Sequence, residues 1–388
     1  MEFTLTDEQR MVREMAAEFA DGALAPGAAE RDRAGRFPDD AVKRAGELGL
    51  CGMLIPEEWD GAGLGHLSAA LVLMEIARVC PSTAVTLSVT NSVAAYPIWR
   101  FGTDAQREKY LRPLAAGKYI GGFCLTEPQA GSDASNQKTR AIRRKDRYIL
   151  NGTKVWVTNA HVGKVFVVMA VTDPRKKRGG VSAFILTPDM PGFSFGPKEQ
   201  KMGLRASATA SVILTDCEVP AENLLGEEGD GMHIPFHSLD GGRIGIAAQS
   251  VGIARGAMDL ACAYARERHA FGKPIAKHQA IAFQLADMDT EIDAGRLLTL
   301  AAAARRDGKL PGAGRAASAA KLFASEMCNR VAYRAVQIHG GYGFSSDYAV
   351  ERFYRDARVT TLYEGTSEVQ RMVISRSLLA DGNDVRVS

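Results

Sequence analysis

The chain has 388 residues, 46% of them hydrophobic and 24% charged, an ordinary composition for a globular protein. That length is more than one compact core takes, which predicts two or three structural regions. Against 48 Lys+Arg stand 45 Asp+Glu, and a net charge of +3 argues for neither nucleic acid nor a membrane surface as partner.

Met1-Glu2-Phe3-Thr4-Leu5-Thr6-Asp7-Glu8 lacks a basic segment followed by an apolar one, so no secretory signal is expected there. No run approaches the roughly 18 apolar residues of a membrane span, so no membrane insertion is expected. Cys51, Cys80, Cys124, Cys217, Cys262 and Cys328 are scattered without Cys-x-x-Cys spacing and read as reduced, buried thiols. A cytoplasmic protein is the expectation, with a mature mitochondrial form as the alternative. The seven histidines show no metal-ligand spacing, so no metal site is expected.

In chain order, Thr6-Asp7-Glu8-Gln9 is a capping-box pattern, followed at helical spacing by Val12, Met15, Ala16 and Phe19. Helical patterns continue over 38–50, 68–79 and 104–117. The loop 57–65 is glycine-rich, but Gly-x-Gly-x-x-Gly occurs nowhere, which argues against a Rossmann nicotinamide site. From about residue 120 the texture changes. Asn151-Gly152 between β-rich runs predicts a hairpin turn, and 165–171, 181–187 and 210–214 read as strands. Arg175-Lys176-Lys177-Arg178 between two of these reads as a solvated hairpin tip; an acidic partner or a CoA phosphate is the sharper alternative. Beyond about residue 233, long Ala/Leu-rich helices are predicted over 245–268, 278–307, 316–339 and 367–379. The expected fold is α+β: a helical region over 1–119, a β-barrel or sandwich over 120–232, and a C-terminal helical bundle over 233–388.

Four segments carry chemistry. Phe123 to Asp133 runs a strand end into a Pro/Gly turn with two hydroxyls, Thr126 and Ser132, able to present N–H and O–H groups to a flavin edge; an ordinary strand turn is the bland alternative. Trp156 and Thr158 share a strand face by alternation, an aromatic plane beside a hydroxyl, although a strand Trp is usually core. Arg268 and Phe271 close a helix, with His278 and Gln279 shortly after, a set that could hold a pyrophosphate and an adenine; Arg268 complementing the helix dipole with Gly272 as cap explains them nearly as well. Last come Gln337, Gly340 and Gly341, then Tyr363-Glu364-Gly365-Thr366-Ser367-Glu368. Ser367-x-x-Gln370 predicts the cap of the last helix, leaving Glu364 in the loop before it. A surface carboxylate favoured by that helix N-terminus is the alternative role for Glu364.

Taken together, and in this order, Leu-Thr-Glu-Pro-x-Ala-Gly-Ser-Asp, Trp-x-Thr-Asn, Arg-x-x-Phe-Gly, Gln-x-x-Gly-Gly-x-Gly and Tyr-Glu-Gly-Thr resemble the acyl-CoA dehydrogenase family over essentially the whole chain. The resemblance implies FAD, with its ring against Phe123, Leu125, Thr126 and Ser132 and under Trp156 and Thr158, and with Ser132 also facing CoA. Family members are homotetramers, pairs of dimers with FAD at the dimer interface. Arg268, Phe271, His278, Gln279, Gln337, Gly340 and Gly341 are then expected at the FAD of a neighbouring subunit, and Thr366 and Glu368 at the chain's own. Asp240, Arg243, Tyr363 and Gly365 are expected beside the acyl-CoA substrate. The family places its base either at the Glu of Tyr-Glu-Gly-Thr or immediately before the arginine that Arg243 matches; here the first position is Glu364 and the second Gly242. Glu364 is therefore expected to remove the α-proton, in a dry pocket that raises its pKa.

The reaction implied is α,β-dehydrogenation of a short-chain acyl-CoA, with electron-transferring flavoprotein as acceptor. Branched-chain, medium-chain and glutaryl substrates, and an oxygen-using acyl-CoA oxidase, are the alternatives. A flavin- or CoA-binding scaffold without turnover belongs to another class, and the intact Glu364 speaks against it.

Overall fold

The computed structural model describes residues 4–379. Helices α1 (Asp7–Phe19), α2 (Ala28–Ala34), α3 (Asp39–Glu47), α4 (Gly65–Val79), α5 (Pro81–Val89), α6 (Tyr96–Phe101), α7 (Asp104–Gln106) and α8 (Arg112–Ala115) precede the strands. The expected capping box at Thr6 forms: its hydroxyl accepts from the Gln9 N–H while the Gln9 side chain reaches back. Among these elements α2, α5, the π-turn Thr90–Ala95 that follows it, and α6 have no counterpart in the sequence reading. All residues of Pro81–Ile98 are buried, so no polar face exists to give an amphipathic period. Thr86, Thr90 and Ser92 donate their hydroxyls to carbonyls four residues back, which lets polar residues sit inside a buried helix.

Eight strands follow: β1 (Gly121–Cys124), β2 (Arg140–Arg144), β3 (Arg147–Thr158), β4 (Val165–Val171), β5 (Val181–Leu186), β6 (Phe193–Lys198), β7 (Thr209–Pro220) and β8 (Leu224–Leu225). The order is β6-β7-β3-β2-β4-β5-β8, with β1 parallel to β4. The halves β6-β7-β3-β2 and β1-β4-β5-β8 meet at one residue pair, Arg140 with Val171, and enclose a core that includes Tyr148, Leu150, Phe166, Phe184 and Val212.

The predicted hairpin turn at Asn151-Gly152 is not one. Both residues lie inside the 12-residue β3, and the β2–β3 turn falls at Lys145-Asp146, with Lys145 at φ +55°. Gly152 is instead a bulge against β7, where a Cβ would come within 2.7 Å of the Thr139 backbone. The Asn151 side chain serves across the sheet, exchanging hydrogen bonds of 2.9 and 2.8 Å with Asp216. Arg175 and Lys176 are exposed on the connection between the antiparallel β4 and β5, as a solvated tip requires.

The chain then returns to helices α9 (His233–Glu267), α10 (Gln279–Asp307), α11 (Ala313–His339), α12 (Val350–Ala357) and α13 (Ser367–Leu379). One apolar core joins α1, α3 and α4 to α9, α10 and α11, so the helices before and after the sheet are packed as one body. Small residues make that possible. A Cβ on Gly252 or Gly256 of α9 would lie 2.3 or 2.2 Å from carbonyl oxygens of Met74 and Arg78, at the α4 crossing. Among the described residues no helix is long and apolar enough to cross a membrane, and no group of three or more His, Cys, Asp or Glu is placed to hold a metal.

Candidate active site

The α12–α13 connection carries Tyr363-Glu364-Gly365 against the first turns of α9. Glu364 has φ +54° and Gly365 φ +89°, two left-handed residues in succession. Such backbone at a residue with a Cβ persists only where its surroundings over-determine it. Here Gln370 donates from Nε2 to the carbonyls of Glu364 (3.1 Å) and Gly365 (2.9 Å), and Lys321 donates from Nζ to Gly365 (2.8 Å). The cap of α13 differs from the expected one. Thr366, not Ser367, accepts from a helix N–H (Val369, 3.3 Å), and Gln370 is committed to the loop carbonyls rather than to a capping box.

The turned backbone aims the Glu364 carboxyl at Gly242 of α9. A Cβ at position 242 would sit 2.6 Å from Glu364 Oε2 and 2.9 Å from Cδ. Glycine there is a spatial requirement of a base at 364, so the two base positions named above converge on one point in space. Gly242→Ala is expected to displace the carboxyl, lowering the rate of proton abstraction about tenfold or more and stability by about 1–3 kcal/mol. Rapid-mixing kinetics and thermal melting check it.

Glu364 Oε2 has no accessible surface and no hydrogen-bond partner. Burial pushes this carboxyl up to about 7, against the opposing charges of Arg243 and Lys321. Arg243 is itself buried and donates to Asp240 Oδ1 at 2.9 Å. Tyr363 donates its hydroxyl to Gln249 Oε1 and packs into an apolar cluster of Val85, Val89, Val93, Leu204 and Ile246. Phe123 of β1 enters the same cluster, which brings the sheet to the loop that carries Glu364.

Around Phe123 the predicted ring-binding segment assembles. The Val155 N–H donates to the Thr126 carbonyl at 2.9 Å and seats that turn beside Trp156. Trp156 is no core residue: it is 62% exposed, at φ +61°, in a bulge between Lys154 and Val157. Alternation still puts Trp156 and Thr158 on one face, but the bulge has changed that face's parity relative to Tyr148–Lys154. Leu125, Thr126 and Thr158 are half-buried and Ser132 is exposed. Behind the turn, Lys154 and Glu127 form an ion pair of 2.7 Å with side chains 0% and 2% exposed.

The remaining predicted residues lie elsewhere. α9 ends at Glu267 with Arg268 in extended backbone, so Gly272 does not cap it. Residues 269–270 pair with 273–274 in a two-residue hairpin whose tip is Phe271-Gly272, both at positive φ as a type I′ turn needs. Phe271 is 95% exposed at that tip. Arg268 lies over the Tyr342 ring, His278 Nε2 is 3.0 Å from the Ala270 carbonyl oxygen, and Gln279, Gln337, Gly340 and Gly341 are exposed close by in sequence to these groups. Arg243 and Arg268 are 25 residues apart on one helix path, about 37 Å at 1.5 Å per residue. No single small molecule of ordinary size contacts both ends within one copy.

Lys321, Gln249 and the Lys154–Glu127 pair take part in this site without having been singled out, and Gln370, expected as a helix cap, holds the loop carbonyls instead. Lys321 had a signal: it falls on the buried stripe Ala317, Ala320, Ala324, Cys328 of α11, where a lysine is out of place. Lys154 likewise sits on the inward parity of β3 with Tyr148 and Leu150.

Fold and site together define an enzyme: helices and a sheet surround a buried carboxylate oxygen held over a glycine, and a tryptophan is turned outward from the sheet. Three acyl-CoA dehydrogenase family descriptions match in order, the N-terminal domain over residues 6–118, the middle domain over 122–217 and the C-terminal domain over 229–379. The chain belongs to the acyl-CoA dehydrogenase family. It is 47% identical over 375 residues to a short-chain specific acyl-CoA dehydrogenase of Clostridium acetobutylicum, covering 97% of this chain and 99% of that one. It superposes on butyryl-CoA dehydrogenase from Megasphaera elsdenii with TM-score 0.96 and 45% identity, over 98% and 100% of the two chains. A structure described as electron transferring flavoprotein of Acidaminococcus fermentans matches with TM-score 0.97 and 49% identity, over 98% of this chain and 100% of that chain.

Proposed function

We propose that this protein is an FAD-dependent dehydrogenase of short-chain acyl-CoA thioesters, which forms the trans-2-enoyl-CoA and passes the electrons to electron-transferring flavoprotein. The observation that carries the reading is the inaccessible, partnerless Glu364 Oε2 over Gly242. An α-proton next to a thioester is weakly acidic, and a base poised near neutrality in a water-poor pocket suits its removal. By the likeness to the family, the Glu364 N–H would donate to the thioester oxygen as enolate character develops. FAD, when bound, supplies the acceptor for the β-hydride. The residues fit such a group: Trp156 is held outward by left-handed backbone where a planar ring can stack, and the Thr126 turn is fixed beside it.

Phe123, Leu125, Thr126, Ser132, Trp156, Thr158, Thr366 and Glu368 are then contacts to the chain's own flavin, while Ser132, Asp240, Arg243, Tyr363 and Gly365 face the acyl-CoA. The group of Arg268, Phe271, Gln279, Gln337, Gly340 and Gly341, all exposed, with the half-buried His278, lies about 37 Å along the helix from Arg243 and is read as the contribution to a neighbouring copy's flavin in a homotetramer. Short acyl chains are favoured by the likeness to proteins described as short-chain specific and butyryl-CoA dehydrogenases, and the acceptor by the likeness to the Acidaminococcus structure. Six free cysteines, five of them buried, suit a cytoplasmic setting.

Anaerobic titration of the purified protein with straight, branched and dicarboxylic acyl-CoAs tests the reading. Butyryl-CoA is expected to bleach the flavin most completely. A protein that no acyl-CoA bleaches refutes it, and stoichiometric hydrogen peroxide in air assigns oxygen as acceptor instead.

A further inference from the structure

Lys321 is fully buried in the middle of α11, on a stripe otherwise made of small and apolar residues. An ammonium without accessible surface is costly unless its surroundings use the charge. Its hydrogen bond goes to the Gly365 carbonyl at 2.8 Å, the same oxygen that takes 2.9 Å from Gln370 Nε2. Gln370, also fully buried, reaches the Glu364 carbonyl as well. Both carbonyls of the left-handed pair are thus held, one from α13 alone and one from α11 and α13 together.

We propose that Lys321 is a positioning residue for Glu364: with Gln370 it clamps the Glu364–Gly365 backbone in its left-handed form, and its ammonium is anchored at the carbonyl of the residue next to the carboxylate it positions. This rests on the reading of Glu364 as the base. The charges that act on Lys321 are Glu364, Arg243, Glu326 and Glu368, and those that act on Glu364 are Arg243 from α9 and Lys321 from α11. Burial draws the lysine down to about 8, with Glu364 the leading opposing influence, and burial draws Glu364 up to about 7 with Arg243 and Lys321 opposing. A positive charge beside a carboxylate favours its ionised form, so losing the lysine raises the pH at which the base becomes competent. Lys321 is not itself the proton acceptor, because its ammonium is the donor to Gly365.

The test uses FAD-loaded protein and butyryl-CoA, following flavin reduction by rapid mixing as a function of pH for the parent, Lys321→Gln, Lys321→Met and Gln370→Met. In both lysine variants the rising limb is expected to move upward by about one pH unit, a rate loss of about tenfold on that limb which recovers in alkali. Lys321→Met should also show a lower plateau, since it cannot donate to Gly365. Gln370→Met should lower the plateau and leave the limb in place. If Lys321→Met fails to fold or to retain FAD, Lys321→Gln and Gln370→Met carry the test. Lysine variants with the limb at the parental pH overturn the proposal, even if they melt lower, because a purely structural lysine would lower stability without moving that limb. A parent protein that is not bleached at all refutes instead the assignment of function.

Discussion

Glu364→Gln is expected to retain FAD and acyl-CoA binding and to reduce the flavin roughly 10²–10⁴-fold or more slowly than the parent. The substitution keeps shape and removes the one group in the pocket that can take the α-proton. Glu364 Oε2 accepts no hydrogen bond, so the variant breaks no described contact of that atom. Near-parental flavin reduction in rapid mixing would remove Glu364 from the mechanism.

The same variant carries a stability signature of opposite sign. Burial raises the Glu364 carboxyl from 4.5 to about 7, so the folded protein binds this proton more tightly than the unfolded chain does. Stability therefore declines as pH climbs through the interval from 4.5 to about 7, and the full cost is present above it. Glu364→Gln removes a carboxylate that must ionise in a dry pocket and is expected to melt above the parent at alkaline pH. The gap should close as pH falls below 4.5, where the parental carboxyl becomes protonated in both states. An enzyme that becomes more stable as it loses activity is what a functional site held against its own folding preference predicts.

The largest expected stability effect lies behind the Thr126 turn. Lys154→Met should destabilise the protein by about 3–5 kcal/mol, because it leaves the Glu127 carboxylate buried and without its cation. Glu127 accepts from Lys154 Nζ at 2.7 Å, from the Lys138 and Thr139 N–H groups at 2.7 and 3.1 Å, and from Gln129 Nε2 at 2.6 Å. Lys154 in turn reaches Gln137 Oε1 at 2.9 Å and the Leu125 carbonyl at 3.3 Å. The pair thus pins both ends of the segment from Leu125 to Thr139. Burial pushes Glu127 upward, but Lys154 and the amide donors outweigh it and hold the carboxyl at about 2. A folded pKa below the unfolded 4.5 contributes stability above pH 4.5, lost as pH falls toward 2. Exposed pairs such as Arg44–Glu47, 59% and 51% exposed, have no comparable effect. Denaturant melts should show the loss in Lys154→Met and its partial reversal in Lys154→Met/Glu127→Gln. An unchanged midpoint in the single variant would refute the account. FAD retention should fall with the single substitution, since the turn it frees faces the proposed flavin site.

What the sequence made legible follows from periodicity and from motif order. The strand at 165–171 and the last helix at 367–379 were placed to the residue, the first by an apolar run with clear ends and the second by the Ser/Thr-rich turn that opens it. Asn151-Gly152 misled because a turn-forming pair also serves as a bulge when two partner strands fix the register around it. The stretch from Pro81 to Ile98 left no trace, since a helix buried on every side has no periodic contrast. Within the site, Glu364, Gly242 and Trp156 were visible as residue types in a pattern. That Gly242 lies directly beneath the Glu364 carboxyl was not, because 122 positions separate them and only the fold of α9 against the α12–α13 loop brings them together. Lys321 and Lys154 went unremarked because their meaning depends on burial, which a single lysine letter does not announce.

Helix α9 carries Arg243 near its start and runs to Arg268 and the exposed Phe271 tip at its end. On the proposed reading, each copy of the chain therefore completes one reaction chamber with its beginning and furnishes another's with its end. Damage and symptom then part company: a lesion at Phe271 leaves its own chamber intact and impairs the one next door. In a cell making two versions of the chain, the mixed assembly rather than either version is the unit on which selection acts, and a variant silent in isolation from its neighbours can still be dominant among them.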